Sequence, residues 1–119
     1  MRKLFFPSSR PSFINPQEVI EGLRQVAQKT ARGNKSIRAV YLFGSYAHGQ
    51  AGFRFDADIL IVLSQDKRSR MDRLDDFIFA FAEAPVPADV LVLTQAEMDK
   101  TLQEDNRFIK EAMKGIRLV

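Results

Sequence analysis

The sequence has no cysteine, no tryptophan and a single histidine, His48. Without cysteine there is no disulfide, no thiolate nucleophile and no cysteine-built zinc site. One histidine rules out the paired-histidine metal motifs. Long apolar runs are also missing, since no stretch approaches the roughly 20 residues needed to span a bilayer. The N-terminus carries Arg2 and Lys3, but its apolar stretch, Leu4, Phe5 and Phe6, stops at Pro7. That is too short for a signal-peptide core. The expectation from these absences is a soluble, cytoplasmic chain with no membrane contact.

What remains is ordinary globular material. Of 119 residues, 45% are hydrophobic and 28% charged, which argues for one folded domain and against disorder. The net charge of +3 hides an asymmetry. Residues 1–40 hold eight Lys and Arg against two Asp and Glu, and the remainder holds ten against thirteen. A basic front attracts anionic partners such as a nucleotide or RNA. The plainer reading, a solvated basic face on one helix, is preferred.

Residues 1–15 carry Pro7, Ser8, Ser9, Pro11 and Ser12 and read as an extended segment ahead of a domain over 16–119. Asn15 followed by Pro16 is a helix start. Val19, Ile20, Leu23, Val26 and Ala27 recur at helical spacing, and Gly33 offers a left-handed cap. Strands are expected at 37–43, 56–63 and 88–93 from their β-branched and aromatic runs. Between the last two, Ser69 and Asp72 open a helix over about 70–83, with Met71, Leu74, Phe77, Ile78 and Phe81 on its apolar face. Phe77, Phe79 and Phe81 read as a core cluster, with exposure of Phe79 for a partner as the alternative. Thr94 and Glu97 form a T-x-x-E capping box. A last helix carries Phe108, Ile109, Ala112 and Met113, with Gly115 as its cap and a short strand or tail over 116–119. The expected fold class is α/β (α+β), a small mixed sheet with helices packed on it.

Three aspartates stand where strands rarely have them. Asp56 and Asp58 open the second strand and Asp89 opens the third. Residues i and i+2 of a strand share a face, so Asp56 and Asp58 lie side by side. Two close carboxylates repel unless a cation sits between them, and Mg²⁺ takes carboxylate together with phosphate oxygens. The crossover through the 70–83 helix makes the second and third strands parallel, which brings their starts to one edge. An antiparallel first strand ends there too, at Gly44 and Ser45. A glycine turn entering a helix presents N–H groups to phosphate. Singly, a D-x-D or a Gly-Ser is more often a turn or cap; the combination and its order point to two-metal phosphoryl or nucleotidyl transfer.

The pattern resembles the nucleotidyltransferases of the DNA polymerase beta superfamily. Phe43-Gly44-Ser45, ten residues, Asp56-Ala57-Asp58-Ile59 and then Ala88-Asp89-Val90 follow that family's signature, with Tyr46-Ala47-His48-Gly49 in its short helix. Ala57 is smaller than the usual residue between the paired aspartates, and Phe53-Arg54-Phe55 is bulkier than the usual spacer. The length and the 108–119 tail are similar to the minimal nucleotidyltransferase domain proteins, often encoded beside a HEPN-domain toxin. The resemblance implies catalytic and metal roles for Asp56, Asp58 and Asp89. Asp56 and Asp58 hold Mg²⁺ on the triphosphate, and Asp89 holds a second metal and assists deprotonation of the acceptor hydroxyl. It implies nucleotide binding by Gly44 and Ser45.

The implied reaction moves NMP from ATP or another NTP to a hydroxyl, a tyrosine of a HEPN partner in the leading reading. The alternatives are a binding antitoxin without catalysis and a small-molecule transferase of the aminoglycoside type. A homo-oligomer is also compatible with so short a chain. His48 reads as a packing or solvent-facing side chain, because the two-metal mechanism does not need it. Phe53 and Phe55 read as sealing the site edge. Arg54 is left open between a phosphate contact and a partner for Asp56.

Overall fold

The computed structural model describes the backbone of residues 2–4 and the whole of residues 15–44 and 56–119. Ser45, the expected turn at 46–52 with His48, the spacer Phe53, Arg54 and Phe55, and most of the 1–15 segment lie outside the described residues. The described elements, in order, are β1 (Arg2–Leu4), α1 (Pro16–Gly33), β2 (Ile37–Phe43), β3 (Ala57–Leu63), α2 (Arg70–Leu74), α3 (Ile78–Phe81), β4 (Ala88–Thr94), α4 (Gln95–Gln103), α5 (Arg107–Met113) and β5 (Ile116–Arg117).

The strands form one mixed sheet in the order β1-β4-β3-β2-β5. β3 and β4 are parallel, as the crossover between them requires. β2 is antiparallel to both β3 and β5, and β1 is antiparallel to β4. The pairing of Arg2–Leu4 is an addition to the sequence reading, because edge pairing with a distant strand leaves no local signal.

Both faces of the sheet are covered. Val40, Leu42, Ile59, Ile61, Val90 and Val92 pack on one face against α1, α2 and α3. Ala39, Phe43, Leu60, Val62 and Leu93 pack on the other against Met98 of α4 and Ile109 and Ala112 of α5. The alternation follows from the two-residue period of a strand. Helix α1 starts as expected: Asn15 Oδ1 accepts from the Gln17 amide at 2.7 Å, and Pro16 fills the first turn, where a missing N–H costs nothing.

Several expectations are corrected. The 70–83 helix is two short pieces. Between them the Asp76 and Phe77 amides bond to carbonyls three residues back, Arg73 at 3.1 Å and Leu74 at 2.9 Å, a tightened 3₁₀-type turn. The guanidinium of Arg68 grips both Asp66 and Asp76 at 2.6 Å and pins that turn. Leu74, Phe77 and Phe81 remain buried, but Met71 is 66% exposed, not part of the apolar face. Phe79 is 80% exposed, so it is not part of the core cluster with Phe77 and Phe81.

Gly33 ends α1 without a left-handed cap; Asn34 caps it with an extended backbone, φ −144°. Gly115 is needed for a different reason from the one expected. A Cβ there would strike the carbonyl oxygen of Leu42, so its smallness lets the chain enter β5 close against β2. Asp56 directly precedes β3, whose first residue is Ala57.

Candidate active site

The end of β2 and the beginnings of β3 and β4 meet at one edge of the sheet. Phe43 is the register partner of Asp58, Asp58 of Asp89, and Asp89 of Lys3 on the β1 backbone. Neighbouring strands lie about 4.8 Å apart, and register partners share a face. Ala57 and Ile59, like Ala88 and Val90, are buried on the α1 side. Asp58 and Asp89 therefore lie on the opposite face, both half-buried. Further along, that face carries Leu60, Val62 and Leu93 beneath α4 and α5. The same alternation that builds the core thus places two carboxylates, side by side, at the open end of the sheet.

Gly44 closes the third side. Its φ of +76° lies in the left-handed region, where a side chain is strained. Space excludes a side chain as well. A Cβ at Gly44 would overlap the Asp58 Oδ2 and come within 3.3 Å of its Cγ. The backbone of this turn and the carboxylate of Asp58 are in close approach, and a side chain at position 44 would have to push that carboxylate aside.

The donor chemistry fits a magnesium ion. Carboxylate oxygens are hard ligands, and Mg²⁺ characteristically takes one or two of them and completes its shell with water and substrate phosphate. Asp58 and Asp89 supply such a pair, with the Gly44 backbone close beside Asp58. Asp56 is half-buried two positions before Asp58. Among the described residues, no group of three or more His, Cys, Asp or Glu is gathered tightly enough to hold an ion alone.

A family model described as polymerase beta, nucleotidyltransferase, matches residues 25–114. The chain belongs to the polymerase beta nucleotidyltransferase family. The matched span contains β2, β3 and β4, and with them Gly44, Asp56, Asp58 and Asp89. General nucleotidyl transfer is the activity that membership supports. The fold is similar to a crystal structure from Sulfolobus solfataricus described as a "putative nucleotidyltransferase", with a TM-score of 0.60 and 24% identity over 71% of this chain and 75% of that one. No curated protein matches the chain. None of the described helices is long and apolar enough to cross a membrane.

The other charged cluster lies at the far end of β4 and holds the scaffold of this nucleotidyltransferase domain together. The capping box is present in full: Thr94 Oγ1 accepts from the Glu97 amide at 3.2 Å, and Glu97 Oε1 accepts from the Thr94 amide at 2.8 Å. Arg73, almost fully buried, donates to Glu97 Oε1 at 2.5 Å and to the carbonyls of Arg68 and Asp66. Burial raises the Glu97 carboxyl, but the Arg73 hydrogen bond and charge and the Thr94 amide together hold it below its usual range. Sequence reasoning saw the capping box and missed its buried arginine. It also placed Phe108 on the last helix without its partner. The Phe108 ring meets that of Phe43 edge to face, centroids 5.4 Å apart.

Proposed function

We propose that this domain is a Mg²⁺-dependent nucleotidyltransferase that moves NMP, from ATP, to a hydroxyl acceptor. The observation that carries the reading is the register pairing of Asp58 with Asp89 beside the left-handed Gly44. In this reading Asp58 and Asp89, with Asp56, are the residues that would hold magnesium. The ion would offset charge on the triphosphate and on the pyrophosphate that leaves. Gly44 keeps its backbone bare so that phosphate oxygens can approach, and Ser45 donates its hydroxyl to one of them. Asp89, on the strand beyond Asp58, accepts the proton of the attacking hydroxyl. The acceptor oxygen then bonds to the α-phosphorus as the bond to the pyrophosphate oxygen breaks.

The proposed acceptor is a tyrosine of a HEPN-domain partner, in keeping with the resemblance to the minimal nucleotidyltransferase antitoxins. Exposed Phe79 and Met71 on α3 and α2 are the apolar side chains a protein partner would meet. The test is transfer of label from α-labelled ATP to the co-produced partner, with wild type and Asp58→Asn side by side. Label on the partner with wild type alone supports the reading. Neutralisation of the partner without any label would contradict it and favour a binding antitoxin.

A further inference from the structure

We infer that Phe108 is the platform on which the base of the nucleotide stacks. The inference rests on the nucleotidyl-transfer reading of the Asp58–Asp89 edge and adds where the rest of the nucleotide lies.

Phe108 is the second residue of α5 and is 47% exposed, while its partner Phe43 is 8% exposed. The two rings are nearly perpendicular, 88° between planes. In an edge-to-face pair the buried ring can cover at most one face of the other. Phe108 thus keeps a ring face that Phe43 does not cover. An exposed phenylalanine costs apolar burial, and this one sits against the ring of Phe43, the register partner of Asp58. Phe43 is the register partner of Asp58, and such partners lie about 4.5–5.5 Å apart at Cα. One aromatic ring therefore separates Phe108 from the strand position that holds the phosphate-side carboxylate.

The platform is firmly mounted. Asn106 Oδ1 accepts from the Ile109 amide at 3.1 Å and fixes the start of α5. The Asn106 amide reaches back to the Thr101 carbonyl at 3.0 Å, closing the α4–α5 link. Ile109 and Ala112, one and four positions further on, anchor the helix in the core. A rigid aromatic face stacks any base and gives little choice among them. The expected specificity is therefore for a nucleotide over a bare polyphosphate rather than for one base over another.

The experiment compares binding of MgATP, MgGTP and magnesium tripolyphosphate, which lacks a base, by calorimetry. Wild type, Phe108→Leu and Phe108→Trp are used. Leucine keeps apolar packing on Phe43 and removes the ring; tryptophan restores a ring. Phe108→Leu is expected to weaken MgATP and MgGTP about 10-fold, in the range of a lost base–aromatic stack, with tripolyphosphate affinity unchanged and Phe108→Trp close to wild type. Equal weakening of all three ligands, or none, would overturn the inference and leave Phe108 a packing residue. If wild type binds tripolyphosphate and ATP equally well, the inference fails while the phosphate site stands. If wild type binds neither, the nucleotidyl-transfer reading fails and takes the inference with it.

Discussion

The Cα of Gly44 lies so close to the carboxylate of Asp58 that a methyl group cannot be placed between them. The turn after β2 and the start of β3 are thereby held in contact, and the left-handed backbone at Gly44 is the local condition for it. Gly44→Ala is expected to lose stability by about 1–2 kcal/mol from the conformation alone, with a further cost from displacing Asp58. Nucleotide binding should fall more than stability does. Urea unfolding and MgATP calorimetry on the same preparation measure both. A variant with unchanged MgATP affinity would remove the glycine from the phosphate cradle.

The like charges of Asp58 and Asp89 on neighbouring strands carry a second expectation. Asp89→Asn keeps side-chain size and removes one of the paired charges. Without Mg²⁺ its thermal stability should equal or slightly exceed that of wild type, because repulsion is relieved. With Mg²⁺ and ATP the wild type should gain in melting temperature through ligand linkage and the variant should not. Thermal melts with and without MgATP test this.

The meeting of Asp58 and Asp89 at one edge was legible in the sequence because aspartate is out of place in an apolar strand. Asp58 and Asp89 stand at the heads of apolar runs, Ile59–Leu63 and Val90–Leu93, that are largely buried, and the register between the strands puts both carboxylates on one face. The crossover then fixes the shared edge. What the sequence did not disclose depends on partners far along the chain. The apolar period of Leu74, Phe77 and Phe81 continues through the break between α2 and α3, and only the grip of Arg68 on Asp66 and Asp76 marks it. Gly115 looks like a helix cap until β2 is placed beside it. Phe108 reads as one more core residue, but it is 47% exposed and meets Phe43 edge to face.

The Arg73–Glu97 pair should be a main support of the fold. Glu97→Ala removes the capping box and strips a nearly buried guanidinium of its carboxylate. The expected loss is roughly 2–3 kcal/mol, the scale of a hydrogen bond to a charged group left unmade. Urea unfolding reads it. A loss under about 0.5 kcal/mol, the range of ordinary surface substitutions, would show that water replaces the carboxylate at no cost.

Acid stability should carry the mark of Asp66. Hydrogen bonds from the Arg68 side chain and backbone amide lower its carboxyl from 3.8 to about 2. A carboxylate lowered on folding adds stability that is present above the unfolded value and lost as pH falls through the folded one. The contribution should therefore be whole above about pH 4 and drain away toward about pH 2. Asp66→Asn should flatten the stability profile in that window and leave its shape near neutrality unaltered. An identical acid limb in the variant would assign the loss to other carboxylates.

Asp105 is the sole non-glycine residue with positive φ among the described residues, at 59°, in the link between α4 and α5. An L residue pays about 1–2 kcal/mol in that region, less for aspartate than for alanine. Asp105→Gly should be more stable than Asp105→Ala by about 1 kcal/mol. Parallel thermal melts compare them, and an inverted order would mean that the link relaxes out of the left-handed conformation.

The central claim is that Asp58 and Asp89 together hold a metal–triphosphate at the Gly44 edge. It is tested most directly by MgATP calorimetry on folded wild type, Asp58→Asn and Asp89→Asn, each with Mg²⁺ and with EDTA. The account predicts binding by wild type that needs Mg²⁺, and a loss of at least about 10-fold, or 1.4 kcal/mol, in each variant. Binding of equal strength in EDTA, or in either variant with Mg²⁺, would contradict it.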